Sequence, residues 1–368
     1  SRHETFGRSG FAHLFEHLMF EGSRNVPRGE FSKHIEANGG ADNAYTSLDH
    51  TNYHEILPAH LFELALWLEA DRMRSLIVSQ ETLDREKRVV QEEIRLRILN
   101  KPYIKALEED LGRAAYTKWA NQHSVAGTLD DVGAAKLGDV RRFFATHYAP
   151  NNAVLVISGS VTLAQGKRLV KKHFGKIAAK AIPAQPDLSE PVLPAERRLS
   201  VSDPLAKLPQ AVAVWHMPAK DSPDFWPLAL VLEHLTGGEE SPLYQALVKE
   251  SQLAIDSGGY YPMWSSRYDF KAPDLFAITV LYRSGEKLDT VLGSLDGILE
   301  NIRREGLPAS ALARAKARMK FSWLSSFQFP FELAKHYSAC AATQGDPRVL
   351  ADDFRRMVGG GGVADRRA

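Results

Sequence analysis

A chain of 368 residues is too long for one ordinary core, and at about 100 to 200 residues per domain it implies two. With 44% hydrophobic and 25% charged residues it has the make-up of a globular protein, and 46 basic against 45 acidic residues favour no polyanionic partner such as nucleic acid. The single cysteine, Cys340, excludes an intrachain disulfide and a cysteine-rich zinc site, and no apolar stretch approaches the roughly 18 residues of a membrane span.

In chain order, the first predicted helix runs from about Ser9 to Phe20 and stops at Gly22. Gly39 and Gly40 break the chain before ADNAYTSLDHTNYHEIL, which reads as two strands with a turn near Asp49 and His50. Leu61, Leu64 and Leu68 recur at helical spacing within a helix expected over Pro58 to Leu76, and Ser79 caps another that reaches about Leu99. NNAVLVISGSV, residues 151–161, reads as a strand. Pro183, Pro186, Pro191 and Pro194 crowd a stretch that can sustain neither helix nor central strand. The expected organisation is therefore a first domain over 1–180, a linker over 181–197 and a second domain over 198–368.

The second half alternates helices with strands such as AVAVWHMP and DLFAITVLYR, and Trp215, Trp226 and Phe329 are expected in its core. EHLMFEGSRNVPRGEFSKHIEANGGAD, from Glu16, is echoed by EHLTGGEESPLYQALVKESQLAID, from Glu233. This suggests a duplication in which Leu230 stands where the first copy has His13; chance similarity of two helices is the alternative.

The first helix carries the chemistry. From Phe11 to Phe20 every residue is apolar except His13, Glu16 and His17, which share an arc of about 100° on one face at 100° per residue. Three polar groups buried together need a partner. A zinc ion supplies one: two imidazoles a turn apart bind it, and Glu16, the acid of the inverted H-x-x-E-H zincin pattern, is placed to act as general base on a zinc-bound water. The third ligand is sought on the helix after Ser79, where Glu86 and Glu93 stand two turns apart on one face while Glu92 points away. Glu93 is preferred as ligand and Glu86 as a carboxylate that supports the site. The competing reading of Glu93 is an ordinary i,i+4 surface pair with Arg97. His123, His147 and His336 lie apart from the motif and are read as packing or surface residues.

Together GRSGFAHLFEHLMFEGS, EANGGADNAYTSLDHTNYHEILP, LALWLEADRM and REKRVVQEEI resemble the pitrilysin/insulinase family of zinc peptidases. The resemblance implies an α/β (α+β) fold of two homologous domains, each a mainly antiparallel sheet covered by helices, that form one half of a clam-shell peptidase. It implies one Zn2+ held by His13, His17 and Glu93, with Glu16 and Glu86 as catalytic residues. It implies that peptide adds beside the strand ADNAYTS, with Asn43, Ala44 and Tyr45 as substrate contacts, whereas Asp49, Thr51 and Tyr53 are structural.

The family's Arg and Tyr, which hold substrate from the opposite half, correspond here to Val248 and Ile255. A homologous metal-free subunit is therefore expected to supply that pair, and the half-length chain is expected to act as part of a heterodimer. Bacterial members of this type point to the periplasm. Family pattern also leads us to expect that the first strands before Ser1 are absent and that GGGGVADRRA replaces a closing helix and strand. The function implied is a zinc endopeptidase; a non-catalytic assembly subunit and a partner-dependent processing peptidase are the alternatives.

Overall fold

The computed structural model describes residues 1–268, 270–271 and 273–359, so the expectation about GGGGVADRRA lies, past Gly359, outside the described residues. The chain divides into two compact units. One comprises Ser1–Pro194 and Phe329–Pro347, the other Ala195–Gln328 and the chain from Arg348.

In the first unit, helix α1 (Phe11–Leu18) is followed by α2 (Glu30–Glu36) and by the antiparallel hairpin of β1 (Ala41–Thr46) and β2 (Thr51–Ile56). A 3-10 turn, Ala59–Leu61, leads into α3 (Phe62–Ser75). Helix α4 (Gln80–Ile94) starts where a good stop-start signal places it: the Ser79 hydroxyl accepts from Thr82 N–H, and Thr82 returns the bond to the Ser79 backbone. Short helices α5 (Leu111–Ala115), α6 (Trp119–Gln122) and α7 (Leu129–Ala134) precede α8 (Leu137–His147) and α9 (Leu163–Phe174). Pro330–Gln344, α13 in chain order, also belongs to this unit and packs on β2, where the Phe331 and His54 rings lie 4.7 Å apart.

Helix α1 is pinned on its apolar side. Phe11, Leu14, Phe15 and Leu18 form one core with Leu83, Val90 and Ile94 of α4 and with Val132 and Val140 of α7 and α8. Each such side chain contributes on the order of 1.5–3 kcal/mol by leaving water. Its N-terminus is fixed differently. Gly10, the N-cap, has φ +81° and brings no side chain, so Glu4 supplies the acceptors, taking the N–H groups of Gly10 at 2.9 Å and Ala12 at 2.7 Å. A Cβ on Gly10 would come within 2.5 Å of the Ala126 carbonyl oxygen, so glycine is required there for both backbone conformation and space.

The hairpin is held from behind by Arg72 of α3. This buried guanidinium reaches Glu55 of β2 at 3.2 Å and lies 4.3 Å from the centre of the Phe31 ring. Tyr53 of β2 bonds the Tyr148 hydroxyl at 2.6 Å, and Asp49 at the hairpin turn pairs with Arg2 at 3.1 Å.

The second unit contains β3 (Gln210–His216), α10 (Phe225–Thr236), β4 (Ala254–Tyr260), β5 (Leu275–Tyr282), α11 (Leu288–Glu305), α12 (Ala309–Ser326) and α14 (Val349–Gly359). Its three strands form one antiparallel sheet in the order β3-β5-β4. Helices with small antiparallel sheets are thus the architecture of both units.

Three sequence expectations fail here. Residues 153–158 form no strand: a strand exists only with a hydrogen-bonded neighbour, and among the described residues none runs alongside them, leaving Val154 and Leu155 exposed. Trp215 is 43% exposed and Phe329 65% exposed, so of the three aromatics assigned to the second core only Trp226, at 3%, is buried. Phe329 moreover belongs to the first unit. Size and apolarity do not say which face of an element meets the core. The proline-rich stretch has no helix or strand, yet its middle is tied down: Glu190 accepts from Thr117 N–H at 2.8 Å and from the Asn121 side chain at 2.7 Å.

Candidate metal centre

Helices α1 and α4 meet so that His13 and His17 face Glu93. The Glu93 Oε2 atom lies 3.2 Å from His17 Nε2 and 3.7 Å from His13 Nε2. Four donors around zinc at 2.0–2.1 Å stand about 3.3–3.4 Å from one another, so these separations suit a small tetrahedral ion. Among the described residues this is the one group of three or more His, Cys, Asp or Glu side chains whose donor atoms could hold a metal.

Glu93 faces two ways, one with each oxygen. Oε1 pairs with Arg97 at 2.7 Å while Oε2 faces the imidazoles. Glu92 is exposed and pairs with Arg95 at 3.3 Å instead.

The two histidines differ. His17 is held at both ring nitrogens: Nδ1 lies 3.6 Å from Glu86 Oε2 and Nε2 faces Glu93. Burial opposes its charge, but the hydrogen bonds to Glu86 and Glu93 overcome that and raise its pKa to about 9. In His13, burial and then the His17 charge lower the pKa to about 4, which keeps a lone pair available near neutral pH. Its Nδ1 is buried without a hydrogen-bond partner. Glu93 is held below the usual carboxylate range, first by its hydrogen bond to His17. Two imidazoles and an ionised carboxylate form the donor set of many catalytic zinc sites, so the residues fit the ion.

Glu86 is 6% exposed and lies between His17 and Arg85, whose Nε is 3.5 Å from Oε1. Glu16 takes a hydrogen bond on Oε2 from the Thr46 hydroxyl at the end of β1, and burial foremost pushes its pKa up. Asn43 is exposed on β1, while Ala44 and Tyr45 are half-buried; the Tyr45 ring lies 5.4 Å from Lys335 Nζ of α13. Val248 falls in the helical turn Tyr244–Glu250, and Ile255 is exposed on β4.

Sequence reasoning passed over two residues. Thr46 lies in ADNAYTS, where no sequence feature ties it to Glu16, thirty positions earlier. Glu4 lies six residues before the N-cap of the helix it caps, beyond the reach of any local capping pattern.

Two family models match the chain: "Insulinase (Peptidase family M16)" over residues 1–129 and "Peptidase M16 inactive domain" over residues 134–319. The chain belongs to the insulinase family. Within it, a zinc protease of Helicobacter pylori, PqqE, is 28% identical over 361 residues, 97% of this chain and 79% of the relative. A crystal structure of a protease from Helicobacter pylori superposes with a TM-score of 0.88 at 27% identity, covering 97% of this chain and 85% of that one. A probable mitochondrial-processing peptidase subunit beta of Schizosaccharomyces pombe is 25% identical over 367 residues, 94% of this chain and 76% of the relative. The "inactive" model spans residues outside the segment that carries His13, Glu16, His17, Glu86 and Glu93, all of which lie in the insulinase match.

Proposed function

We propose that this member of the insulinase family is the catalytic subunit of a zinc-dependent endopeptidase that cleaves peptides or unfolded polypeptides. The observation that carries the reading is the convergence of His13, His17 and Glu93 on one small volume, with Glu16 on the same helix. His13 and His17 would hold the ion through Nε2 and Glu93 through Oε2. A bound zinc would supply Lewis-acid activation of water and of the scissile carbonyl.

The chain's own residues supply the proton chemistry. Thr46 anchors one oxygen of Glu16, which leaves Oε1 to take a proton from the attacking water and deliver it to the leaving amine nitrogen. Burial raises the pKa of Glu16 and so brings its proton affinity closer to that task. Glu86 fixes the His17 ring through Nδ1. The peptide is positioned as an added strand beside β1, where Asn43, Ala44 and Tyr45 lie. A homologous metal-free subunit would complete the site, since Val248 and Ile255 can neither hold a carboxylate nor polarise a carbonyl.

The test is zinc content together with hydrolysis of an unstructured peptide. Wild type is expected to bind one zinc per chain, and Glu16→Gln to keep the zinc while losing about 100- to 10,000-fold in rate, the usual contribution of general acid–base catalysis. Protein that takes up no zinc, or a Glu16→Gln variant as fast as wild type, would sink the proposal.

A further inference from the structure

The hairpin's own hydrogen bonds show which groups of β1 remain for a new strand. Ser47 N–H donates to His50 O at 2.8 Å, and in an antiparallel ladder bonded pairs alternate with unbonded ones. With Tyr45 opposite Asn52 and Asn43 opposite His54, those pairs exchange ladder bonds. The N–H of Ala44 therefore lies on the outer row, the side to which a peptide strand would add. That donor is already occupied: it bonds Oδ1 of Asn43, its own neighbour, at 2.8 Å.

The second unit repeats the device. Gly39 and Gln252, with φ +74° and +53°, each stand two residues before a strand, β1 at Ala41 and β4 at Ala254. The third strand residue is Asn43 in one unit and Asp256 in the other. Asp256 Oδ1 likewise accepts from the next N–H, that of Ser257, at 2.9 Å. Arg283 N–H donates to Leu253 O, and Asp256 is paired with Leu281, which places Ser257 N–H on the outer row of β4, an edge strand. An edge strand with open donors is a template for any other chain, and a side chain folded over its central N–H blunts it.

We infer that Asn43 is a built-in competitor of the substrate: its carboxamide closes the N–H of Ala44 and has to turn away before a peptide strand can pair with β1. Thr46, two residues along the same outer row, holds Glu16, so the closed donor lies one pairing step from the base. The inference rests on the reading of β1 as the peptide-adding edge.

The experiment measures binding of an unstructured, proline-free, fluorescein-labelled ten-residue peptide by anisotropy, with every variant made on zinc-loaded Glu16→Gln so that nothing is cleaved. Asn43→Ala is expected to lower Kd about 3- to 10-fold, the net worth of one neutral hydrogen bond. Asn43→Asp is expected to raise it, because an ionised acceptor grips the N–H harder. Misfolding cannot produce these opposite shifts. Ala44→Pro removes a donor that the ladder does not use and is expected to raise Kd at least about tenfold, with zinc content unchanged as the check on folding.

Weaker binding by Asn43→Ala would show the carboxamide to be a peptide contact, and an unchanged Kd would show that it does not compete; either overturns the inference. An unchanged Kd for Ala44→Pro, or no binding of the peptide by any variant, would overturn it through its premise. None of these outcomes touches the hydrolytic reading, which zinc content and peptide cleavage by the wild type decide separately. Conversely, the expected order of Kd values with no cleavage by wild type, alone or with a homologous metal-free subunit, would remove the peptidase reading and leave the competitor in place.

Discussion

His17 sits between two carboxylates, and each bond it makes has a separate consequence. Glu86 lies 3.6 Å from Nδ1 and so keeps that edge of the ring turned to α4, with Nε2 facing Glu93. Glu86→Gln should keep one zinc per chain but bind it about 10- to 100-fold more weakly, which chelator competition measures, as expected for loss of a partner that orients a ligand. The same two carboxylates raise the metal-free His17 pKa to about 9. Below that pH the ring carries a proton that an incoming metal has to displace, whereas His13, with a pKa of about 4, carries none near neutrality. Apparent zinc affinity should thus fall about tenfold for each unit of pH lost between pH 8 and pH 6, with one proton released per zinc bound. Proton release measured by calorimetry in two buffers of different ionisation enthalpy checks the count.

Among the elements, the α1–α4 pair brings the site together, and its strength is apolar. Leu83, fully buried on α4, packs in the same cluster as Leu14 and Phe15 of α1. Leu83→Ala should cost about 2–5 kcal/mol of unfolding free energy in chemical denaturation, the usual range for a buried leucine cut to alanine. Its folded fraction should still bind zinc, because the ligands stand on other positions of the two helices. The β1–β2 hairpin is set by different forces: the buried Arg72 behind it, Asp49 and Arg2 at its turn, and Thr46 joining its end to Glu16. In the proposed reading the helix pair would hold the metal and base and the hairpin the peptide; the Thr46 hydroxyl on Glu16 and the packing of Tyr53 against the α1 core join the two.

At the scale of the whole molecule, the candidate metal-binding set among the described residues lies in the first unit. Leu230, which stands opposite His13 in the sequence echo, is fully buried on α10, and Val248 and Ile255 offer no cation or hydroxyl to a substrate carbonyl. The chain alone should therefore hydrolyse peptide slowly. Adding a homologous metal-free subunit that brings an Arg and a Tyr should raise kcat/KM on the order of 100-fold, the scale on which an oxyanion donor acts. Peptide hydrolysis measured over a titration of that subunit checks it, and saturation at one partner per chain is the expected stoichiometry.

The sequence by itself determined which candidate ligands share a face, because helical geometry ties spacing to direction: residues three and four apart lie together, so His13, Glu16 and His17 had to converge, and Glu86 and Glu93 had to lie on one side of α4, while the packing of α4 on α1 decided that Glu93 meets the histidines. It determined the helix starts for the same local reason, as the Ser79 capping box shows. Tertiary structure alone decided what depends on contacts between distant residues. Glu4 caps a helix it does not belong to, Thr46 finds Glu16, and residues 153–158 remain outside any sheet although they have a strand's composition. A helix closes its hydrogen bonds within itself, so its pattern can be read from neighbours in sequence. A strand or a borrowed cap is completed by another part of the chain, and no local pattern says whether that part is there.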